Sequence, residues 1–473
     1  MGYFLILYTY LMRPALYILI FLWNCLAIAE AGSDPFGTEA MLPPKPALHL
    51  NGVVGDPCAD AMPTGALNLP DVVNLALCSN PKTREVWANS RVFAAQVGVS
   101  KASYLPSADI SAAASRVKSG NAGRVDQTSL SLTLSYLLYD FGSRAANLEN
   151  ARQLLVAASA TQDSTVQTIF LSSVQSYYQN QAALSALEAA LESERAARES
   201  FAAAEARYRA GSATPADKLQ AQTAYSQSTL NRITADGNLK NAQGSLANML
   251  GLDANRKISL ISANTMPIPD NFEGDINTLI EEARQHRPDL QAAAAQVKAA
   301  QASADAARSS DKPSISLSAS TNQIDIAGTP SRGSSIGINL NVPIFSGYAP
   351  TYRVRAAEAQ VEAKNAQLEQ LRLQVALDVW TAYQHLNTAT QSLRTTADLL
   401  NSAEQSERVA LGRYKAGVGS MLDVLNAQSA LASARQQRIQ STFDWNINRA
   451  TLAQAMGNLD ASLLHSLSKV SSQ

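Results

Sequence analysis

The chain contains one large unit twice. Arg207-Tyr208-Arg209-Ala210-Gly211 returns as Arg413-Tyr414-Lys415-Ala416-Gly417, and 413 − 207 gives an offset of 206. Asp217, Gln222 and Gly251 return at the same offset as Asp423, Gln428 and Gly457. Asn80-Pro81 is matched by Arg287-Pro288, and Leu105-Pro106-Ser107 by Lys312-Pro313-Ser314, where 313 − 106 gives 207. So long a period excludes a solenoid of short stacked repeats. It leaves two similar halves, assigned to 69–265 and 266–460, with a tail at 461–473.

Each half runs through the same order of elements. An Ala-rich helix covers about 69–103 and about 275–310, and Pro106 or Pro313 stops it. A strand pair follows. A very long helix comes next, over about 143–209 and about 350–415, then a break at Gly211 or Gly417, then a helix over about 215–250 and about 421–457. The long helices reach roughly 100 Å at 1.5 Å per residue. Their narrow stripe, as in Leu148, Ala151, Leu155 and Ala158, alternates three- and four-residue steps, which favours helices seamed side by side.

The strands alternate strictly. Leu130, Leu132, Leu134 and Tyr136 share one face of 129–138, against Ser129, Ser131, Thr133 and Ser135. Ile336, Ile338, Leu340, Val342 and Ile344 oppose Ser335, Gly337, Asn339 and Asn341 in 335–344, and 314–320 behaves likewise. The polar segments 116–127 and 321–333 are expected as hairpin loops. A soluble half-buried sheet alternates identically, but its solvent face is usually rich in Lys and Glu, whereas these polar faces are small and neutral. Strands of about ten residues suit a tilted bilayer span. Four strands per chain cannot close a barrel, since the smallest membrane barrels have about eight. Open edges in lipid leave backbone groups unpaired. A spanning sheet therefore demands several copies, and three copies of four strands give twelve.

Residues 1–31 read as a secretory signal peptide. Arg13 is the lone basic residue, an apolar run spans Ala15 to Leu26, and Ala27-Ile28-Ala29 and Ala29-Glu30-Ala31 are small-x-small cleavage patterns. Met12 would give a more conventional start, and a membrane anchor is disfavoured by the shortness of the run. A Pro-rich extension, 32–68, follows. Cleavage leaves Cys58 and Cys78, which pair or remain as buried thiols; a bridge would pin the extension to the first helix.

Composition removes other classes. With 38 basic and 39 acidic residues the net charge is −1, without the basic excess of a nucleic-acid binder. Three Cys are too few for a disulfide scaffold. The histidines, His49, His286, His385 and His465, form no ligand spacing. No catalytic constellation, cofactor motif or metal site is assigned, and Gly417-Val418-Gly419 reads as a turn. An enzyme is thus not expected.

At the breaks, Thr214-Pro215-Ala216-Asp217 and Ser420-Met421-Leu422-Asp423 read as capped helix starts. Capping accounts for Asp217 and Asp423, and Gly211 and Gly417 suit helix ends. It leaves Arg207, Tyr208, Arg413 and Tyr414 open to surface packing or to a functional role.

Strand, long helix, Arg-Tyr-x-x-Gly, a capped turn with Asp and a Gln five residues on, all duplicated, resemble the TolC family of outer-membrane efflux proteins. Leu138-Tyr139-Asp140-Phe141-Gly142 and Val342-Pro343-Ile344-Phe345-Ser346-Gly347 are similar to that family's strand-to-helix junctions. The resemblance implies a mainly α chain with membrane β: a homotrimer whose twelve-stranded outer-membrane barrel, set in outer-membrane lipid, continues into an α-helical periplasmic tunnel. It implies passive conduction, with a periplasmic adaptor and a proton- or ATP-driven inner-membrane pump as partners, for small-molecule efflux or type I protein secretion. It places Arg207, Tyr208, Gly211, Arg413, Tyr414 and Gly417 at adaptor-docking periplasmic tips, with Asp217 and Asp423 gating or capping them. Ser129, Ser131, Thr133, Ser335, Asn339 and Asn341 would line the barrel. Some members are lipoproteins, but Leu22-Trp23-Asn24 before Cys25 departs from their pattern. The alternative is a periplasmic coiled-coil scaffold or adaptor.

Overall fold

The computed structural model describes residues 34–43, 65–119, 122–261 and 275–459, so the expected signal peptide lies outside the described residues. Two copies of one unit follow each other. The first comprises α1 (Leu69–Ser79), α2 (Pro81–Ala102), β1 (Ser107–Ser119), β2 (Ala122–Tyr139), α3 (Ser143–Arg209) and α4 (Pro215–Met249). The second comprises α5 (Ile276–His286), α6 (Pro288–Ser309), β3 (Ser314–Ile326), β4 (Thr329–Asn341), α7 (Ala349–Lys415) and α8 (Met421–Ala455). The long helices α3 and α7 have 67 residues each and their return helices α4 and α8 have 35 each.

The helix expected over about 69–103 is two helices, and so is the one over about 275–310. Each breaks before a proline, because the ring clashes with a helical preceding residue. Asn80 and Arg287 accordingly sit in extended backbone, with ψ of 127° and 123°. A glycine from the end of the return helix packs against each break. A Cβ at Gly251 would lie 2.6 Å from the Ser79 carbonyl oxygen, and one at Gly457 would lie 3.0 Å from the Arg287 nitrogen. The breaks are tied differently. The Asn80 side chain donates to the Met249 carbonyl at 3.0 Å, whereas Arg287 pairs with Asp289 at 2.6 Å and Asp378 at 3.0 Å.

Apolar burial follows the repeat. One cluster joins α1, α3, α4 and α8 through Val72, Leu77, Phe170, Val174 and Leu246. A second joins α5, α7 and α8 through Leu279, Val375, Val379, Leu386 and Trp445. Of the N-terminal extension, 34–43 lies along α2: Leu42 packs with Ala94, Val97, Ala151 and Leu155, and the Trp87 indole donates to the Pro43 carbonyl. Cys78 is disulfide-bonded, and Cys58 lies outside the described residues.

The four strands form one antiparallel sheet in the order β1-β2-β3-β4. The expected hairpin loops are mostly strand. Residues 116–119, 122–127, 321–326 and 329–333 stay paired, and the second hairpin turns on Ala327 and Gly328 alone, both at positive φ (53° and 83°). Polar residues there signal strand that runs past an apolar band, not irregular backbone. Arg116 pairs with Asp126 across the hairpin at that end.

Candidate functional site: the sheet and the helical tips

The register sorts the sheet into two faces. Thr133, Ser320 and Ser335 stand side by side across three strands, as do Ser131 and Asn322 with Gly333. All six expected lining residues, Ser129, Ser131, Thr133, Ser335, Asn339 and Asn341, fall on this face. Hydroxyls and amides link its strands: Ser111 to Ser131 at 2.7 Å, Ser320 to Ser335 at 2.9 Å, and Asn339 to Ser318 at 2.8 Å. The other face carries Ile110, Leu130, Leu132, Leu134, Ile336, Ile338 and Leu340, every one exposed and Ile336 to 78%. A continuous apolar face is expensive in water and suits lipid. Both edge strands, β1 and β4, leave a row of backbone groups with no partner strand in the sheet.

The strand-to-helix junctions place a pair of left-handed residues before each long helix. Phe141 and Gly142 have φ of 54° and 95°; Gly347 and Tyr348, their counterparts at the 206 offset, have 68° and 62°. Glycine occupies opposite members of the two pairs, so each junction holds one aromatic residue in a conformation costing roughly 1–2 kcal/mol. Asp140 holds the first junction by accepting from the Arg144 backbone N–H at 2.7 Å and pairing with its guanidinium at 3.1 Å. Around the second, Ile344, Phe345, Tyr348 and Tyr352 are all widely exposed.

At the far ends of the long helices the two hairpins turn. Gly211 and Gly417 have φ of 72° and 77°, and the chain closes behind them with Ser212 N–H donating to Arg207 O and Val418 N–H to Arg413 O. These are left-handed helix ends that a side chain would strain. Thr214 and Ser420 then cap the return helices, and Asp217 and Asp423 reciprocate by accepting from the backbone N–H of Thr214 at 3.0 Å and Ser420 at 3.2 Å. Bonds from Ser420 and the field of Arg413 hold the Asp423 carboxyl below its ordinary range.

Arg207 reaches the other hairpin. Its guanidinium donates to the Tyr414 carbonyl at 2.8 Å and lies 4.2 Å from the Tyr414 ring centroid. Tyr414 is buried with Met421, Val424, Ala204 and Ala221. Tyr208 and Arg413, the other two residues of the repeated motif, are exposed. Sequence reasoning did not find the rest of this seam. Ser200 and Gln428 hydrogen-bond across it at 3.0 Å; beside it, within the first hairpin, Lys218 and Arg209 both pair with Glu205 at 3.2 Å, lowering its pKa. Only the Gln222/Gln428 match pointed to the first pair.

The profile of the family described as "Outer membrane efflux protein" matches residues 72–252 and 279–458, one segment in each half. The chain belongs to that family. Protein CyaE of Bordetella pertussis is 32% identical over 456 residues, covering 94% of this chain and 95% of its own. Outer membrane protein TolC of Escherichia coli is 24% identical over 422 residues, covering 84% and 83%. Among solved structures, VceC of Vibrio cholerae superposes with a TM-score of 0.72 at 19% identity over 82% of this chain and 96% of its own. CusC gives 0.73 at 21% identity over 88% and 97%. This efflux-family chain is thus an outer-membrane channel: a mainly helical, duplicated fold with a membrane β-sheet, serving as an exit duct for export. Among the described residues no helix is long and apolar enough to cross a membrane.

Proposed function

We propose that three copies close their sheets into one twelve-stranded barrel, and that their long helices form a continuous periplasmic tunnel. The observation that carries this reading is the four-stranded sheet itself, with an exposed apolar face, a neutral polar face and two open edges. Lipid accepts the first, a water-filled lumen accepts the second, and only neighbouring copies satisfy the third. Ser129, Ser131, Thr133, Ser335, Asn339 and Asn341 line the lumen. Small neutral groups of this kind give no tight site, which suits passive conduction of varied cargo.

The tips carry the coupling. Arg207, Tyr208, Gly211, Arg413, Tyr414 and Gly417 meet a periplasmic adaptor, and the adaptor favours the open duct by binding it better than the closed one. Asp217 and Asp423 cap the return helices and help hold the closed arrangement. An inner-membrane pump, proton- or ATP-driven, supplies the energy. Cargo is a small molecule or a secreted protein; one relative is named a toluene efflux pump outer membrane protein and another an antibiotic efflux pump outer membrane protein, both of Pseudomonas putida. Residues 1–31 are the signal peptide, 32–68 a periplasmic extension bridged by Cys58–Cys78, and 69–265 and 266–460 the two repeats.

Light-scattering mass and planar-bilayer recording of the detergent-extracted protein test this together. A trimer with discrete conductance is expected. A water-soluble, elongated monomer or dimer without conductance would overturn it in favour of a coiled-coil scaffold.

A further inference from the structure

Toward the hairpin turns the two faces of the sheet exchange polarity. The register puts Leu130, Leu132, Leu134, Ile336 and Ile338 on the outward face. Nearer the turns that same face carries Arg116, Lys118, Arg124 and Arg332, with Asp126 and Asp325. The face of Ser131 and Thr133 carries Val117, Val125, Ile324 and Ile326 there. A hairpin end that merely reached into water would be charged on both sides. Among the described residues of these rows every charged side chain points outward, to the side that meets lipid in the spanning reading above, on which this inference rests.

The charges on this face do not cancel. Asp126 is taken by Arg116, which donates to it through Nη2 at 2.8 Å. Asp325 accepts from the Gly328 backbone N–H in the turn, at 2.8 Å. Arg332 donates to Gln323 at 3.2 Å, through Nε alone. Lys118 and Arg124 stand directly opposite each other across the β1–β2 hairpin, and both are exposed. Among the described residues neither side chain has an ion-pair or hydrogen-bond partner. Like charges opposed across a strand pair are destabilising. An anion between them reverses the sign of that interaction.

The height of the pair selects the source of the anion. Leu340 to Arg332 is eight steps of β4, about 27 Å of strand and roughly 20 Å along the membrane normal at a tilt near 40°. Leu130 shares the row of Arg332, and Arg124 lies six steps beyond it, roughly 15 Å further along the normal. A lipid-facing band is about 25 Å tall, and headgroups add about 5–8 Å beyond the hydrocarbon. The Arg116–Asp126 pair thus falls among the headgroups, and Lys118 and Arg124 stand at their outer rim, within reach of long side chains.

We infer that Lys118 and Arg124 form a cationic clamp for a phosphorylated lipid headgroup of the outer leaflet, the chemistry that lipopolysaccharide presents. One phosphate between the two cations replaces their repulsion with two charge-assisted contacts. The Arg116–Asp126 bridge holds the hairpin together beneath the clamp. Bound lipid then fixes the depth of this hairpin in the leaflet.

The full-length protein in neutral detergent tests the clamp, with purified lipopolysaccharide as the probe and inorganic phosphate as the competitor. Lipid retained through size exclusion is measured on the same samples as light-scattering mass and planar-bilayer conductance. The wild-type protein should retain lipopolysaccharide. A cation near an anionic lipid surface is worth roughly fivefold, so K118Q and R124Q should each weaken retention by about that factor and the double variant by about 30-fold. The single variants keep the test open should the double variant fail to fold. K118R with R124K should retain the lipid, and so should K240Q, which removes an exposed lysine of α4 paired with Asp236. Trimeric mass and conductance should be unchanged throughout, since neither position faces the lumen. Equal retention by the wild type and the glutamine variants would overturn the clamp and leave the duct standing. Displacement of the lipid by excess inorganic phosphate would assign the pair to a free anion and overturn the lipid. A wild-type protein with neither trimeric mass nor conductance would overturn the spanning reading itself.

Discussion

The first hairpin tip and the second are built alike and end in different surroundings. Both turn on a left-handed glycine, both start the return helix with a reciprocal cap, and both carry an Arg-Tyr pair one turn earlier. Yet Arg207 of the first and Tyr414 of the second meet, while Tyr208 and Arg413 stay exposed. The backbone is dictated locally, by spacing and turn chemistry. Burial is dictated by which repeat lies next door: Tyr414 packs against Ala204 and Ala221 of the other repeat, while Tyr208 gains no such cover. Equal sequence therefore does not mean equal energetic weight.

The largest break in this comparison should come from exchanging seam chemistry. Val424 is fully buried where its counterpart Lys218 is part-exposed. Val424→Lys buries an unpaired ammonium and should cost about 3 kcal/mol or more, read as early proteolysis or melting of the tip. Lys218→Val should leave the isolated subunit intact. Next, Met421→Ala should cost about 2–5 kcal/mol because Met421 is 1% exposed in the same cluster. Leu422→Ala, at 50% exposure, should change stability by less than about 0.5 kcal/mol. A melt of both variants that gave equal shifts would contradict the burial assigned to the tip.

Arg207→Ala removes a cation–π contact and a charged hydrogen bond and should cost about 1–3 kcal/mol. Arg413→Ala, at an exposed position, should cost less than about 0.5 kcal/mol, so thermal melts of the two variants separate them. Smaller still, Thr214→Ala and Ser420→Ala should each cost about 1 kcal/mol, nearly equally, since both remove the same cap. Acid sharpens that last pair. The Asp423 pKa is lowered in the fold, so its contribution is present above the unfolded value of 3.8 and is lost as pH falls through the lowered one. The protection of the first-turn amides of α8 against exchange, relative to the intrinsic rate at each pH, should fall over that acidic range and stay flat above pH 5.

Much of the molecule was legible beforehand. The long helices were expected over about 143–209 and about 350–415 and span 143–209 and 349–415. Helix periodicity, glycine ends and capping boxes are short-range signals, readable without knowing what lies beside them. The proline breaks before Pro81 and Pro288 were visible as matched motifs, but the surrounding Ala-rich sequence read as continuous helix. The strands were harder. Ser, Gly, Arg and Asp near the turn read as loop, because pairing partners are not written into local composition. Strands of 13 residues with a turn on Ala327-Gly328 emerged only from the register.

The linear order of residues thus sufficed for the duplication, the helix lengths, the caps and the two-faced strands, since each rests on spacings of a few residues or on one constant offset. Tertiary structure alone decided that Arg207 rather than Arg413 turns inward, that Tyr414 rather than Tyr208 is buried, and that Ser200 finds Gln428 some 228 positions away. Those choices are made by neighbours in space. Duplicated sequence gives both candidates the same local preference, and only the packing of α3 on α8 separates them.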